Sequence, residues 1–218
     1  MSRNELILAD LIALRAEQQP DLDVLTFVRV ARDGRLADEV RTYGDLWRHG
    51  NRIAAALASR DCVDGASFAI MMRNHPAFVE AMVGASITGA VFVPIDPRAA
   101  DDRLAFMLRL TACQGVVVGD YALDALLAVR ERLPALKWIW VLQTGEPRAL
   151  PSGVEPLAEV MASSRPDIAC RVSDPDQVQQ LLFTSGTTGD PKAIVSPFRR
   201  MGDAGRMAGV FGLGPQDR

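Results

Sequence analysis

The sequence predicts an α/β protein in which a parallel sheet is flanked by helices, with a small β-hairpin near the N-terminus. Two observations lead to this fold class. From residue 67 onward, short apolar runs alternate with segments of helical periodicity. The apolar runs are continuous, which is typical of strands that helices cover on both faces. A length of 218 residues is enough for one large domain or two small ones.

The segment before the alternating region predicts a helix and then the hairpin. Residues 6–18 carry apolar side chains at helical spacing, and Pro20 ends that helix. Residues 24–30 are rich in β-forming side chains, and Asp33-Gly34 is a tight-turn dipeptide. Residues 39–43 therefore return as the partner strand of a hairpin.

A second helix precedes the alternating region, and its start is signalled by Thr42 and Asp45 in a T-x-x-D pattern. Asn74 and Pro76 are predicted to cap and start a further helix. Trp138 and Trp140 lie on the same side of one strand and are interpreted as core residues. We predict strands at 67–72, 91–95, 115–119 and 138–142, and helices at 76–88, 101–111 and 123–133.

A proline-rich stretch divides the chain. Residues 145–175 hold five prolines and one short helical pattern near 157–162. We therefore predict three parts. They are an N-terminal α/β subdomain at 1–145, a connecting segment at 146–177, and the start of a second subdomain at 178–218.

Composition excludes several classes of function. Lys and Arg total 24 against 27 Asp and Glu, so the net charge of −3 argues against a nucleic-acid binder. His49 and His75 are the only histidines and lack metal-ligand spacing, so no metal site is predicted. The longest uncharged run, residues 81–95, is too short to span a membrane, and no signal peptide is visible. The chain is therefore predicted to be cytoplasmic.

The cysteine pattern agrees with a reducing compartment. Cys62, Cys113 and Cys170 are widely separated and odd in number, so no disulfide framework is present. We interpret them as free thiols.

The stretch that carries chemistry follows a predicted strand at 179–183. Its sequence is Thr184-Ser185-Gly186-Thr187-Thr188-Gly189-Asp190-Pro191-Lys192. Glycines let backbone N–H groups approach a ligand closely, and runs of such amides bind anions. The hydroxyls add neutral donors, and the lysine adds a compact positive charge suited to phosphate. The stretch is therefore predicted to hold a polyphosphate; the alternative is a polar hairpin that links two strands.

The spacing differs from that of a Walker-type loop, because Asp190 and Pro191 separate the last glycine from the lysine. Instead, the stretch resembles the phosphate-binding signature of the adenylate-forming enzymes, which include acyl-CoA synthetases, luciferases and nonribosomal-peptide adenylation domains. Residues 41–46 (R-T-Y-G-D-L) and 88–97 (T-G-A-V-F-V-P-I-D-P) are similar to two further segments of that family.

Two positions depart from the family pattern. Ala193 stands where the family usually has glycine, and Ser196-Pro197 stands where it often has Thr-His. Ser196 is still predicted to cap a helix that has proline at its first position. Arg199 and Arg200, which follow, are interpreted as a solvated helix face rather than as phosphate ligands.

The resemblance implies the N-terminal part of an ATP-dependent carboxylic acid–CoA ligase that forms acyl-AMP and then acyl-CoA, as in fatty acid metabolism. It implies ATP and Mg²⁺ as cofactors, and a carboxylic acid and coenzyme A as partners. The implied phosphate-binding residues are Thr184, Ser185, Gly186, Thr187, Thr188, Gly189 and Lys192, and no catalytic residue is assigned.

Family members are more than twice as long as this chain, so we expect the 218 residues alone to be inactive. We also expect them to self-associate through the final helix and residues 181–183. Two alternatives remain open. One is an adenylation domain that loads a carrier protein, and the other is a non-catalytic module that binds a nucleotide or a partner.

Overall fold

The computed structural model describes residues 3–30, 33–145, 149–164, 168–184 and 191–212, with the side chains of 206, 208 and 209 excepted. The helices of this part are α1 Leu8–Gln18, α2 Tyr43–Ser59, α3 Pro76–Thr88, α4 Asp101–Leu110, α5 Leu123–Val129, α6 Leu157–Ser163 and α7 Phe198–Val210. Its strands are β1 Asp23–Val30, β2 Leu36–Thr42, β3 Ser67–Met71, β4 Val91–Pro94, β5 Gly115–Gly119, β6 Trp138–Leu142, β7 Val154–Pro156, β8 Val178–Thr184 and β9 Lys192–Pro197.

Seven of these strands form one sheet in the order β7-β6-β5-β3-β4-β8-β9, and the first two form a separate hairpin. Neighbouring strands of the large sheet run parallel except β8 and β9. Alternate strand residues face opposite cores. Val116 and Val118 pack with α4 and α5, whereas Val117 packs with α2, α3 and α6. The predicted α/β class, with helices on both faces of a parallel sheet, is confirmed.

A third cluster lies where α1 and α7 meet the α2–α3 pair. Ile7, Val83, Ile87 and Phe198 are fully or almost fully buried there. The hydroxyl of Ser86 accepts a hydrogen bond from the Ala9 amide at 2.9 Å, which fixes the start of α1 against α3. None of the helices in the described part of the chain has the length and apolar character that crossing a bilayer requires.

The hairpin β1–β2 is held to the body by a buried ion pair. Glu80 of α3, whose side chain is 4% exposed, accepts from Arg41 Nε at 2.7 Å and contacts His49 Nδ1 at 2.8 Å. Arg41 also pairs with Glu39. Burial by itself would raise the pKa of Glu80, but the hydrogen bonds and charges of His49 and Arg41 outweigh it and lower that pKa.

The predicted start of α2 is confirmed in atomic detail. The Thr42 hydroxyl accepts from the Asp45 amide at 3.1 Å, and the Asp45 carboxylate accepts from the Thr42 amide at 3.0 Å. These reciprocal bonds satisfy two amides that the first turn of a helix leaves without partners.

Three details differ from the sequence predictions. His75, not Asn74, caps α3, because its Nδ1 accepts from the Ala77 amide at 3.1 Å. The helix predicted at 123–133 is shorter, since α5 ends at Val129 and a 3₁₀ turn follows. The short strand β7 was not predicted, because three residues that include a proline show no periodicity.

Strand β7 and helix α6 both lie within the predicted connecting segment. The strand joins the sheet beside β6, and the helix agrees with the short helical pattern near 157–162. The three-part division of the chain stays a prediction.

The tryptophan pair is buried as predicted. Trp138 and Trp140 are 1% and 0% exposed, and their rings stack with centroids 4.1 Å apart. Gly115 lies directly under Trp138, since a Cβ at that position would be 1.9 Å from the indole ring.

The three cysteines are free, and burial raises the pKa of Cys62 to about 11 and that of Cys113 to about 12.

Several apolar side chains near the C-terminal end are exposed. Met207, Val210 and Phe211 are 50%, 76% and 72% exposed, and Leu182 is 36% exposed. Self-association through this region stays a prediction.

Candidate phosphate-binding site

The first and last residues of the predicted phosphate-binding stretch, Thr184 and Lys192, belong to two antiparallel strands. Strands β8 and β9 pair from Val178 with Pro197 to Thr184 with Lys192, so the first and last residues of the stretch face each other. Residues 185–190, which include Ser185, Gly186, Thr187, Thr188 and Gly189, lie outside the described part. The structure thus brings Thr184 and Lys192 together at the two ends of the stretch.

The local sequence explains the hairpin. Residues 181–183 are apolar, and Leu181 and Phe183 pack on the core that α4 and α5 share with the sheet. Thr184, the last described residue of β8, is small, polar and exposed. Lys192 begins the return strand and is exposed, with its ammonium available to solvent and to a ligand.

The hairpin turns at the carboxyl edge of the parallel sheet. Strand β8 pairs parallel to β4 through Phe92 and Gln180, so Thr184 ends on the side where β4 ends. In open α/β sheets, ligands bind in the crevice outside the carboxyl ends of the strands. The position of Thr184 and Lys192 therefore agrees with a binding role.

A cavity of about 420 Å³ adjoins the hairpin at this edge. Phe183, the residue before Thr184, lines it together with Asp96, Arg98 and Arg103. Arg98 pairs with Asp96 at 2.7 Å, and hydrogen bonds from Arg98 lower the pKa of Asp96 to about 2. The hairpin thus borders a concave surface that carries two guanidinium groups.

Sequence reasoning did not single out Arg98 and Arg103 as site residues. A usable signal was present, because Arg98 follows directly after the segment at 88–97. Residues that come just after a parallel strand gather at the carboxyl edge of the sheet. The spacing alone does not tell which edge residues lie beside β8, since β8 begins only at Val178, far along the chain from Arg98 and Arg103.

The residues after the stretch differ from the prediction, because Ser196 and Pro197 lie in β9 rather than at the cap and the first position of a helix. The buried hydroxyl of Ser196 accepts from Gln180 Nε2 at 3.3 Å. The helix α7 begins at Phe198. Arg199 pairs with Asp176 and Arg200 is exposed, in agreement with a solvated helix face.

Comparisons with known proteins define the class of this chain. The family profile described as "AMP-binding enzyme" matches residues 12–218. The chain therefore belongs to the AMP-binding enzyme family.

Two of its curated relatives, a synthase and a ligase, are much longer than this chain. The chain is 30% identical over 200 residues to N-(5-amino-5-carboxypentanoyl)-L-cysteinyl-D-valine synthase of Amycolatopsis lactamdurans, covering 91% of this chain and 5% of the relative. It is 28% identical over 183 residues to the long-chain-fatty-acid–CoA ligase FadD13 of Mycobacterium tuberculosis, covering 83% and 33%. The chain thus spans about a third, or much less, of these relatives.

Solved structures share the fold. A long-chain-fatty-acid–CoA ligase from Archaeoglobus fulgidus superposes with a TM-score of 0.81 at 19% identity, covering 100% of this chain and 42% of that one. The anthranilate–CoA ligase AuaEII, solved with anthranoyl-AMP, superposes with a TM-score of 0.79 at 19% identity, covering 94% and 36%.

Proposed function

We propose that the full-length protein containing this chain is an ATP-dependent ligase that joins a carboxylic acid to coenzyme A, with fatty acids as the acid class. The observation that carries the proposal is the Thr184–Lys192 pair, which closes the hydroxyl- and glycine-rich stretch at the carboxyl edge of the sheet. The free thiols fit a reducing compartment such as the cytoplasm.

The proposed reaction has two steps. A carboxylate oxygen of the acid attacks the α-phosphorus of ATP, and the bond to the β-phosphate oxygen breaks, giving acyl-AMP and pyrophosphate. A thiolate then attacks the acyl carbon, giving the thioester and AMP. No electrons are transferred in either step, so no oxidant or reductant is needed.

The role of the stretch is to hold the β- and γ-phosphates during the first step. The hydroxyls of Thr184, Ser185, Thr187 and Thr188 donate hydrogen bonds to phosphate oxygens, while Gly186 and Gly189 let the backbone amides approach. Lys192 offsets the charge that develops on the departing pyrophosphate. The contribution is positioning and electrostatic stabilisation, without a covalent bond to the protein.

The proposal includes Mg²⁺ as a cofactor together with ATP. In the described part of the chain, no group of three or more His, Cys, Asp or Glu side chains is arranged to hold a metal ion. Mg²⁺ commonly binds through substrate phosphates and keeps several waters. We therefore assign it no ligand here and no step.

Lysine labelling tests the phosphate site without requiring turnover. Lys137 and Lys192 are the only lysines among the 218 residues, and both are exposed. Pyridoxal phosphate followed by borohydride should label both, and ATP or pyrophosphate should protect Lys192 alone. Equal labelling of the two lysines with and without ATP, read by peptide mass spectrometry, would contradict the assignment.

The thiol that accepts the acyl group distinguishes a coenzyme A ligase from an adenylation domain that loads a carrier protein. The relatives include both fatty-acid–CoA ligases and peptide synthetases at similar identity, so a carrier protein is the second candidate acceptor. The full-length protein should catalyse acid-dependent ATP–pyrophosphate exchange and then transfer the acyl group to coenzyme A. Transfer only to a phosphopantetheinylated carrier protein would favour the adenylation-domain alternative, and ATP binding without exchange would favour the non-catalytic module.

A further inference from the structure

The side chain of His75 joins the start of α3 to strand β1 of the hairpin. Its Nδ1 accepts a hydrogen bond from the Ala77 amide at 3.1 Å, which caps the helix. Its ring also lies beside the ring of Phe27, with centroids 5.3 Å apart and planes tilted by 58°. One imidazole therefore contacts both the first turn of α3 and the middle of β1.

This cap requires a neutral imidazole. A neutral ring that accepts through Nδ1 carries its proton on Nε2, so a second proton can bind only at Nδ1. Protonation turns that acceptor into a donor that faces the Ala77 amide, which is itself a donor. It also places a positive charge at a helix N-terminus, where the helix dipole disfavours cations. The protonated ring therefore has to turn away from the amide.

The charged side chains that act on His75 are paired with one another. Two bases and two acids of β1, β2 and α3 do so, and they are Arg29, Arg41, Glu39 and Glu80. Arg29 pairs with Glu39 at 2.7 Å, and Arg41 pairs with Glu80 at 2.7 Å. His49 of α2 lines a cavity together with His75, and its Nδ1 is 2.8 Å from Glu80. None of these acids is thus left as a free partner for a protonated His75.

Burial lowers the pKa of His75, because the partly buried ring loses solvation that would stabilise its positive charge. The acids Glu39 and Glu80 act to raise this pKa and the bases Arg41 and Arg29 act to lower it, and the net direction is down. The capping ring therefore stays neutral at a pH where an exposed histidine, with an ordinary pKa of about 6.5, binds a proton.

The structure leaves room for the ring to turn. His75 lines a cavity of about 510 Å³ together with residues 25–28 of β1. It also lines a second cavity of about 420 Å³, together with Arg41 and Leu157. Because its side chain is partly exposed, water reaches the ring. A ring that leaves the Ala77 amide can therefore move into space that no side chain fills.

We propose that His75 is a pH-sensitive latch, whose protonation releases the β1 side of the hairpin from the start of α3. The ring leaves the Ala77 amide and at the same time loses its contact with Phe27. Glu80 stays ionised because its own pKa lies below the ordinary value, so its ion pair with Arg41 persists. The hairpin thus opens at β1 and stays attached at β2. This latch is independent of the proposed ligase activity.

The open arrangement becomes more favourable as the pH falls. In that arrangement His75 is exposed and binds a proton with a pKa of about 6.5, whereas the closed arrangement binds this proton only at a lower pH. The ratio of open to closed molecules should therefore rise roughly tenfold between pH 7.5 and pH 5.5.

Amide hydrogen exchange in the 218-residue chain tests the latch. The protection factor of the Ala77 amide, which corrects for the pH dependence of exchange itself, should fall roughly tenfold from pH 7.5 to pH 5.5. The Asp45 amide is the internal control, because the Thr42 hydroxyl that accepts from it at 3.1 Å does not titrate. The nuclear Overhauser contact between the rings of Phe27 and His75 should weaken over the same range.

His75→Asn is the matched variant, since an asparagine side chain also caps helices but does not titrate. Its Ala77 amide should have the same protection factor at both pH values. An Ala77 protection factor or a ring contact that does not change with pH in the unmodified chain would overturn the proposal. So would a fall of equal size in His75→Asn, or an equal fall at Asp45, which indicates general acid unfolding. The unmodified chain alone supplies three of these readouts, so the test does not depend on how the variant folds.

Discussion

Thr184 and Lys192 face each other as the last cross-strand pair of the β8–β9 hairpin. Seven residues lie between them in sequence, yet the pairing sets the two ends of that stretch at adjacent strand positions, about 5 Å apart between Cα atoms. A hydroxyl and an ammonium group therefore flank the turn at the carboxyl edge of the sheet.

The first prediction concerns Lys192. In the full-length protein, Lys192→Ala should slow adenylate formation by more than it slows the thioester step, because pyrophosphate charge is present only in the first step. Loss of one charge-assisted contact of this kind costs about 2–4 kcal/mol of transition-state stabilisation. Single-turnover assays of the two half-reactions measure the difference.

Lys137→Ala is the matched control, since Lys137 is exposed and its ammonium donates to Gln114 Oε1 at 3.2 Å, at the opposite edge of the sheet. It should leave both half-reactions unchanged. Equal slowing of the two steps by Lys192→Ala would count against a phosphate-binding role.

The second prediction concerns the 218 residues alone. Adenylate formation must hold ATP and an acid together, and the chain spans 33% of the fatty-acid–CoA ligase to which it is similar. We expect no acid-dependent ATP–pyrophosphate exchange from the purified chain. Exchange above the level of a Lys192→Ala sample, measured with a panel of carboxylic acids, would show this expectation to be wrong.

The third prediction concerns packing under the tryptophan pair. Gly115→Ala places a methyl group 1.9 Å from the Trp138 ring, which is buried and stacked on Trp140. Forcing a methyl group into a filled core commonly costs about 1–3 kcal/mol. Urea unfolding should show a loss in this range.

A second glycine gives the control for that experiment. Among the described residues, no atom outside the adjoining helix backbone would lie within 4 Å of a Cβ added to Gly205 of α7, so alanine fits there without a clash. Gly205→Ala should raise the free energy of unfolding by up to ~1 kcal/mol, because alanine favours helix more than glycine does. A loss of stability from Gly205→Ala equal to that from Gly115→Ala would refute the packing argument.

The fourth prediction concerns Glu80 and pH. The folded-state pKa of Glu80 lies below its ordinary value, so its ionisation stabilises the fold above the unfolded pKa of about 4.3 and ceases to do so as pH falls through the folded pKa. Glu80→Gln should cost on the order of 2 kcal/mol at pH 7. This loss of stability is less than the ~3–5 kcal/mol typical of breaking a buried ion pair, because Arg41 keeps its ion pair with Glu39.

The difference between Glu80→Gln and the unmodified chain should shrink as the pH falls below the unfolded pKa of about 4.3, because the unfolded chain then binds a proton that Glu80 in the folded chain takes up only at lower pH. Urea unfolding at pH 7, 5 and 3.5 measures it. Glu159→Gln on the exposed face of α6 is the control and should change stability little at any of these values. A difference that stays constant down to pH 3.5 would show that the charge of Glu80 is not what stabilises the fold.

Most of the sheet could be predicted because local patterns specify it. The continuous apolar runs, such as Gly115–Gly119, match strands buried on both faces, and the T-x-x-D pattern at Thr42 marks a helix start that the backbone confirms. The helix start depends on contacts between residues that are near in sequence. The apolar strands reflect burial between two layers of helices, which applies to any central strand of such a sheet.

Elements without a local pattern could not be predicted. Strand β7 exists because β6 offers it an edge, and three residues show no period of their own. His75 rather than Asn74 caps α3, because it directly precedes Pro76, the first residue of the helix. The ring centroids of His75 and Phe27 of the hairpin lie 5.3 Å apart, a contact that the local sequence does not indicate.

The sequence by itself determined the α/β class, the order of most elements and the residue types of the candidate phosphate-binding stretch, because periodicity, capping and side-chain chemistry are local properties. Only the tertiary structure decided that Phe183 shares a cavity with Arg98 and Arg103, and that Glu80 holds Arg41 and His49. The strand order places β8 beside β4 and brings Phe183 to the cavity of Arg98 and Arg103, whereas the ion pairs of Glu80 join α3 to β2 and α2. Such contacts depend on which elements become neighbours, and no short-range pattern records that choice.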